Sequence, residues 1–401
     1  MSIKEPVLSL WENRDYKLLM SGQTVNVVGN QITTFALFLV VLNVTNSPTA
    51  ASFSSGLFVL SMVVLGLPIG RLVDRYSRLA ILKISSTLGV IGSLLCVIAA
   101  NGHYPISLFA ISAFLLGGIS SAFGTAERAF LKELIPPNLL AKAMAVNQGR
   151  YSIGTLIGPP IAGLLISHSA QAPFWVDAAS FCWVLACLVL IRFRSSETDS
   201  SKTPSETPPL RPAWDWLRGQ KQLFSIGWYS PLMNFSFAGI TTLSLLSLKY
   251  ASFSSFSLGI YQAAIGLAGL MGAVIAGKLV EKAQAGRLIL YSMCLFTVAL
   301  AVTMVNSTFT IVGMVLAGLV LPVFNAPCSG FFVKSVPQEF QGRCTAILST
   351  SAMVTMPIGN ALAGVLFEHF GGLTAVAFFA LVLILSDLFF IKKGDVKSIR
   401  L

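Results

Sequence analysis

Charge is scarce in this chain. Asp, Glu, Lys and Arg make up 11% of its 401 residues, where soluble domains carry about a quarter. That excludes an ordinary cytosolic enzyme. With 55% apolar residues it also excludes a disordered protein, which needs low hydrophobicity. Acids are scarcer than bases, 16 against 27. Cations gathered on one soluble face would suggest nucleic acid; here they sit at the ends of apolar runs, so no nucleic-acid partner is expected. Catalytic signatures are missing: there is no H-E-x-x-H, no G-x-S-x-G and no Walker loop, and no enzyme is expected. Histidine occurs only at His103, His168 and His369, all in expected outer loops. The six cysteines, Cys96, Cys182, Cys187, Cys294, Cys328 and Cys344, show no C-x-x-C spacing. Neither a disulfide framework nor a zinc site is indicated, and no metal or cofactor is expected; the cysteines read as small packing residues. The opening M-S-I-K-E-P-V-L-S-L-W-E-N-R-D-Y-K is too polar for the apolar region of a cleavable signal.

What the chain has instead is apolar runs. Twelve are long enough to span a bilayer as helices, each roughly 18–25 residues. They cover 18–43, 51–72, 79–100, 105–126, 146–167, 173–193, 223–247, 257–280, 287–305, 308–330, 345–367 and 372–391. Most connections are short. The long one, 194–222, carries S-S-E-T-D-S-S-K-T-P-S-E-T-P-P and reads as a flexible polar linker. Trp214 and Trp216 near its end suit a short helix lying at the membrane interface.

The cations orient the spans. With twelve crossings both termini lie on one side, and that side holds twenty-six of the twenty-seven Lys and Arg; only Lys249 falls on the other. Such a bias marks the cytoplasmic side. A missed helix would have scattered the later cations over both sides. The expected location is the inner (cytoplasmic) membrane, multi-pass, with both termini cytoplasmic.

The second half repeats the first. Asn26 meets Asn234 at an offset of 208, and I-T-T at 32–34 meets I-T-T at 240–242. G-R-L-V-D-R from Gly70 meets G-K-L-V-E-K from Gly277 at 207. Pro136 meets Pro337, Lys142 meets Arg343, Gly158 meets Gly359 and Gly163 meets Gly364 at 201. Near-equal offsets in order imply two six-helix halves related by an axis along the membrane normal, with a site between them at midplane. The expected fold is therefore an all-α integral membrane protein. It has an N-terminal bundle at 1–193, a cytoplasmic linker at 194–222 and a C-terminal bundle at 223–401.

One stretch organises the rest. Gly66 to Leu82 reads G-L-P-I-G-R-L-V-D-R-Y-S-R-L-A-I-L, a charged turn between two runs built for lipid. So few residues separate them that the two helices must be antiparallel neighbours. The stretch resembles the loop between the second and third helices of the major facilitator superfamily, G-x-x-x-D-R-x-G-R. Gly70, Asp74, Arg75 and Arg78 match; Ser77 replaces the second glycine. Within that superfamily the chain is similar to the bacterial exporter branch that includes macrolide efflux pumps and the enterobactin exporter. L-W-E-N-R-D-Y-K-L-L-M-S-G-Q at 10–23, N-S-P-T-A at 46–50 and P-F-W-V-D-A-A-S-F at 173–181 resemble stretches of that branch. Gly154 to Gly163, G-T-L-I-G-P-P-I-A-G, resembles its fifth-helix antiporter motif, with Ala162 for one glycine. Two departures concern proton coupling. Drug exporters of this branch often carry Asp where this chain has Asn30, and the superfamily's fourth-helix arginine motif is absent, Ala113 standing near its place.

Four groups of residues are candidates for function. The first is a gate. Asp74 lies where a neighbouring helix could present its positive end, and Arg75 and Arg78 can pair with an acid. Glu127 is the nearest acid, as one is in relatives. The second-half echo of Gly70 and its charges, Gly277, Glu281 and Lys282, belongs with it. The alternative is a topology anchor. The second group is a polar stripe on the first helix, Gln23, Asn26, Asn30 and Thr34, at steps of three and four. Asn234, Thr241 and Thr242 echo it. These residues contact substrate or hydrogen-bond to neighbouring helices. The third is Arg150, which breaks the internal symmetry because Ser351 stands at its counterpart. It binds an anionic group, snorkels, or pairs with Glu127. The fourth is the set Gly154, Gly158, Pro159, Pro160 and Gly163, which permits close helix approach and bends the axis. Asp177 reads as a helix-start residue and Asp387 as a snorkelling acid, either of which could instead carry a proton.

The resemblance implies a secondary transporter exporting a small amphipathic molecule of drug or siderophore type by alternating access, with protons as the coupling ion. The expected partners are that substrate, protons and the lipid bilayer, and the expected state is a monomer. A lipid mover or a metabolite importer of the same fold is the alternative.

Overall fold

The computed structural model describes residues 9–102, 106–193, 210–303 and 305–392. His103 and positions 194–209 of the expected linker lie outside the described residues. Among those described, a 3-10 turn at Leu10–Glu12 precedes thirteen α-helices and there is no strand. The first six are α1 (Arg14–Thr45), α2 (Pro48–Arg75), α3 (Arg78–Ala99), α4 (Ser107–Leu134), α5 (Pro137–His168) and α6 (Ala172–Leu190). A short helix, α7 (Leu210–Gly219), leads into α8 (Lys221–Tyr250), α9 (Ser255–Lys282) and α10 (Ala285–Val302). The last three are α11 (Ser307–Ser335), α12 (Gln338–Phe370) and α13 (Gly372–Lys392). Twelve long helices thus stand where twelve apolar runs are read. Most extend past the expected ends, because polar residues can continue a helix beyond the hydrocarbon layer.

Eleven of the twelve are long and apolar enough to cross a membrane. The other is α5, whose first half carries Asn138, Lys142, Asn147, Gln148 and Arg150.

Local chemistry sets the ends. Asn13 Oδ1 accepts from the backbone N–H of Asp15 at 3.0 Å and of Tyr16 at 3.1 Å, satisfying two donors at the start of α1. Asn46 closes α1 in the left-handed region, φ 51°, which Asn tolerates better than most side chains. Pro136 and Pro337 precede α5 and α12, where a missing N–H costs nothing.

The described residues cluster in two units. One comprises 9–46 and 57–193, the other 47–56 and 210–392. In the first, α1 packs on α5 and α6, and α3 packs on α4 and α6. Ser61 on α2 donates to the Phe114 carbonyl on α4 at 2.6 Å. In the second, α8 packs on α12 and α13, α10 on α11 and α13, and α9 on α11. The two patterns correspond helix for helix, as the repeat in the sequence requires. The opening turns of α2 belong with the second unit.

Lipid tails are as apolar as leucine, so burial alone does not draw these helices together; close backbone approach does. Gly158 shows it. A Cβ there would lie 3.2 Å from the carbonyl carbon of Gln31 and 3.3 Å from the nitrogen of Ile32 on α1. Its counterpart Gly359 meets α8 in the same way, 3.1 Å from the Phe235 carbonyl carbon. At the end of the first unit where α1 begins, Leu10, Tyr16, Leu19, Leu82, Phe130 and Leu188 form an apolar core. In the second unit, Ala213 and Leu217 seat α7 against Leu223, Val336 and Cys344.

Candidate functional site

A buried polar cluster forms in the first unit where α1, α4 and α5 meet. Arg150 projects from α5, and its Nη2 donates to Glu127 Oε1 on α4 at 2.7 Å. Its Nη1 donates to Gln23 Oε1 on α1 at 3.0 Å, and it also donates to Asn147 Oδ1, one turn earlier on α5. Arg150, Glu127 and Gln23 are 8%, 5% and 1% exposed. So deep a pair of charges persists only where each neutralises the other and hydrogen bonds fill the remaining capacity. The capacity is not full: Arg150 Nε, Gln23 Nε2 and Tyr16 Oη are buried without a protein partner. The arrangement holds a fixed cation, compensated once, with donors left over for a further acceptor.

This placement corrects the expected gate. Glu127 pairs with Arg150 and not with Arg75 or Arg78. Arg78, at the start of α3, pairs with Glu133 near the end of α4. Six residues separate Glu127 from Glu133, more than a turn and a half, so the two acids leave α4 in different directions. Asp74 and Arg75 are exposed at the α2–α3 turn. A Cβ on Gly70 would meet nothing within 4 Å, and the same holds for Gly277. Glu281 and Lys282 are exposed at the end of α9. The two pairs, Arg78–Glu133 and Arg150–Glu127, are the ion pairs found among the described residues.

The polar stripe of α1 fans out over three neighbours. Gln23 reaches α5, and Asn26 donates to Ser180 Oγ on α6 at 3.4 Å. Asn30 Oδ1 accepts from Ser120 on α4 at 3.3 Å. Thr34 donates to its own helix, at the Asn30 carbonyl, 2.8 Å. In the second unit Thr241 does likewise at Phe237, 2.7 Å, while Thr242 donates to Asn360 on α12 at 3.1 Å. Asn234 is half-buried on α8. Most of the stripe makes bonds between or within helices. Gly154 faces Val27 on α1, and Pro159 and Gly163 are buried on α5.

Two acids named from the sequence have partners that the sequence did not show. Asp177 sits on the sixth residue of α6 and is wholly buried between α1 and α3. It does not cap the start of α6, which Gln171 begins; Ser93 on α3 approaches its Oδ2 at 2.8 Å. Asp387, on the equivalent helix α13, accepts from Tyr229 Oη on α8 at 2.9 Å, so it does not snorkel. Tyr229 also walls an aromatic groove with Phe224, Trp228, Phe389 and Phe390. For Asp387 the helix period carried part of this signal, since its buried neighbours Leu383 and Phe390 are apolar.

The chain is similar along most of its length to proteins named for drug efflux or drug resistance. It is 24% identical over 372 residues to macrolide efflux protein A of Streptococcus pyogenes, covering 90% of this chain and 91% of that protein. It is 24% identical over 323 residues to the class H tetracycline resistance protein of Pasteurella multocida, covering 77% of each. Among solved structures, an inward-facing bacterial homologue of the iron transporter ferroportin superimposes with a TM-score of 0.74 at 16% identity, covering 97% of this chain and 100% of that one. The nucleoside transporter NupG gives 0.77 at 12% identity, covering 94% and 99%. These two likenesses show the fold alone. The model of the Major Facilitator Superfamily matches residues 19–305. The twelve-helix chain, repeated six by six, belongs to the major facilitator superfamily and is a multi-pass membrane protein of that family of small-molecule transporters.

Proposed function

We propose that the protein exports a small amphipathic molecule, of drug or siderophore type, across the cytoplasmic membrane in exchange for protons. The observation that carries this reading is its likeness to a macrolide efflux protein over nine-tenths of both chains. The cation bias supports an orientation with both termini in the cytoplasm. The mechanism is alternating access, with the halves 1–193 and 223–401 closing one side of the membrane at a time. Arg78–Glu133 joins the inner ends of α3 and α4. Together with the charged turn at Asp74 and Arg75, it biases the inner side shut, so its strength sets a ratio of populations. The cluster around Arg150 supplies the fixed cation and spare donors that an acceptor-bearing substrate needs.

Everted vesicles carrying the protein, loaded with a proton-sensitive dye, test the reading. Addition of a macrolide or a tetracycline should collapse part of an imposed pH gradient, and empty vesicles should not respond. Uptake of the compound with no proton movement removes the coupling. No uptake of either compound, nor of a lipophilic dye, removes the export of amphipathic molecules.

A further inference from the structure

The acids of the first unit can be accounted for one by one. Glu127 pairs with Arg150 and Glu133 with Arg78. Asp15 accepts from the backbone N–H of Phe193 at 2.8 Å. Glu12 and Asp74 are exposed. Among the described residues of this unit, Asp177 remains as the acid that is buried without a cation. It lies against the backbone of α1 at Gly29, where a Cβ would come 2.8 Å from Oδ1. No larger residue at 29 would leave the carboxyl its place.

The proton count around Asp177 is informative. Ser93 Oγ lies 2.8 Å from Asp177 Oδ2 and 3.0 Å from the Gly89 carbonyl, yet a hydroxyl has one proton to give. Ser180 Oγ donates to the Asp177 carbonyl at 2.8 Å and receives Asn26 Nδ2 at 3.4 Å. Thr33 on α1, also wholly buried, has a hydroxyl with no hydrogen-bond partner. With the carboxyl ionised, Ser93 must leave Gly89, and a net charge stands in a dry interior. With the carboxyl protonated, Asp177 donates to Ser93 and Ser93 donates to Gly89. The chain then closes with no charge and no competition for the Ser93 proton. Isolated charge in such a place is costly enough that the neutral form wins unless the site opens. The other titratable group facing it is Cys96 on α3; α1 offers Asn26, Gly29 and Thr33, and α6 offers Ser180, none of which titrates.

We propose that Asp177 is a protonated carboxyl at rest and carries the coupling proton of the first unit. When α1, α3 and α6 shift enough to admit water, the O–H bond of Asp177 breaks and the proton leaves as hydronium. The carboxylate is then hydrated until it binds a proton again. This rests on the proton-coupled reading above, and the two can fail separately.

The test uses the purified full chain. Infrared titration should show the carbonyl stretch of a protonated carboxyl at neutral pH, and that band should vanish in D177N and persist in D387N. A band unchanged in D177N overturns the proposal. In proteoliposomes, ethidium or erythromycin accumulated uphill by wild type under a pH gradient should fall in D177N to the level of empty vesicles, while exchange without a gradient continues. Uphill accumulation by D177N at the wild-type rate also overturns it. If wild type itself ignores the gradient, the coupled reading falls, and the infrared band still decides the state of Asp177. Should D177N fail to reach the membrane, S93A replaces it. That variant keeps the carboxyl and removes its hydroxyl partner, so the band should shift, and an unmoved band overturns the proposal.

Discussion

Arg150 reaches across from α5 to Glu127 on α4 at 2.7 Å, with both side chains almost sealed from solvent. Removing one member leaves the other as an uncompensated buried charge, which costs about 3–5 kcal/mol. R150M should therefore lower the melting temperature of the purified protein sharply, and E127L should do the same. The double variant R150M/E127L should regain most of the lost stability and still not transport. Additive losses in the double variant would show that the two residues act independently.

Arg78 and Glu133 are partly exposed, 17% and 23% at their side chains, so their pair contributes about 0–1 kcal/mol. That is too little to decide folding and enough to tilt a balance between two conformations. R78E and E133R should each change transport rate with unchanged membrane abundance, and the exchange R78E/E133R should restore the rate. D74N should lower transport without lowering abundance. Equal loss of both in D74N would make Asp74 a folding residue.

Glycines of the helix seams and glycines of the charged turns should behave in opposite ways. G158A forces a methyl against the α1 backbone, and G359A does so against α8. Overpacking of this kind costs typically about 1–3 kcal/mol, so both variants should express poorly or melt early. G70A and G277A place the same methyl in open space and should melt with wild type. Any transport defect in G70A is then a defect of motion.

Tyr229 Oη is the hydroxyl that donates to Asp387 at 2.9 Å. Y229F strips the acid of a donor and should lower the melting temperature. D387N keeps a partner for the tyrosine and should be tolerated better. A Y229F protein as stable as wild type would mean that water or another hydroxyl replaces the bond.

The fold was legible in the sequence because lipid imposes one rule, that a crossing segment be long and apolar. The repeat was legible because matching glycines and charges recur in order, and Gly158 and Gly359 do occupy equivalent seams. Contact partners were harder. Glu127 looked like the acid for Arg78 because it lies near the inner end of α4. Which side of α4 it leaves from depends on a rotation that a few residues of uncertainty in the helix start erase. Asp177 reads as a helix-start residue because it lies near the start of the apolar run 173–193. Its burial follows from the way α6 inserts between α1 and α3, which no local pattern encodes.

One small contact has a practical outcome. The thiol of Cys344 donates to the Ala213 carbonyl at 3.8 Å beneath α7, and it is fully covered. A bulky water-soluble maleimide can reach that sulfur only when α7 lifts away. Read at that one peptide, apart from the exposed Cys182 and Cys294, alkylation of Cys344 is a native footprint of α7 undocking.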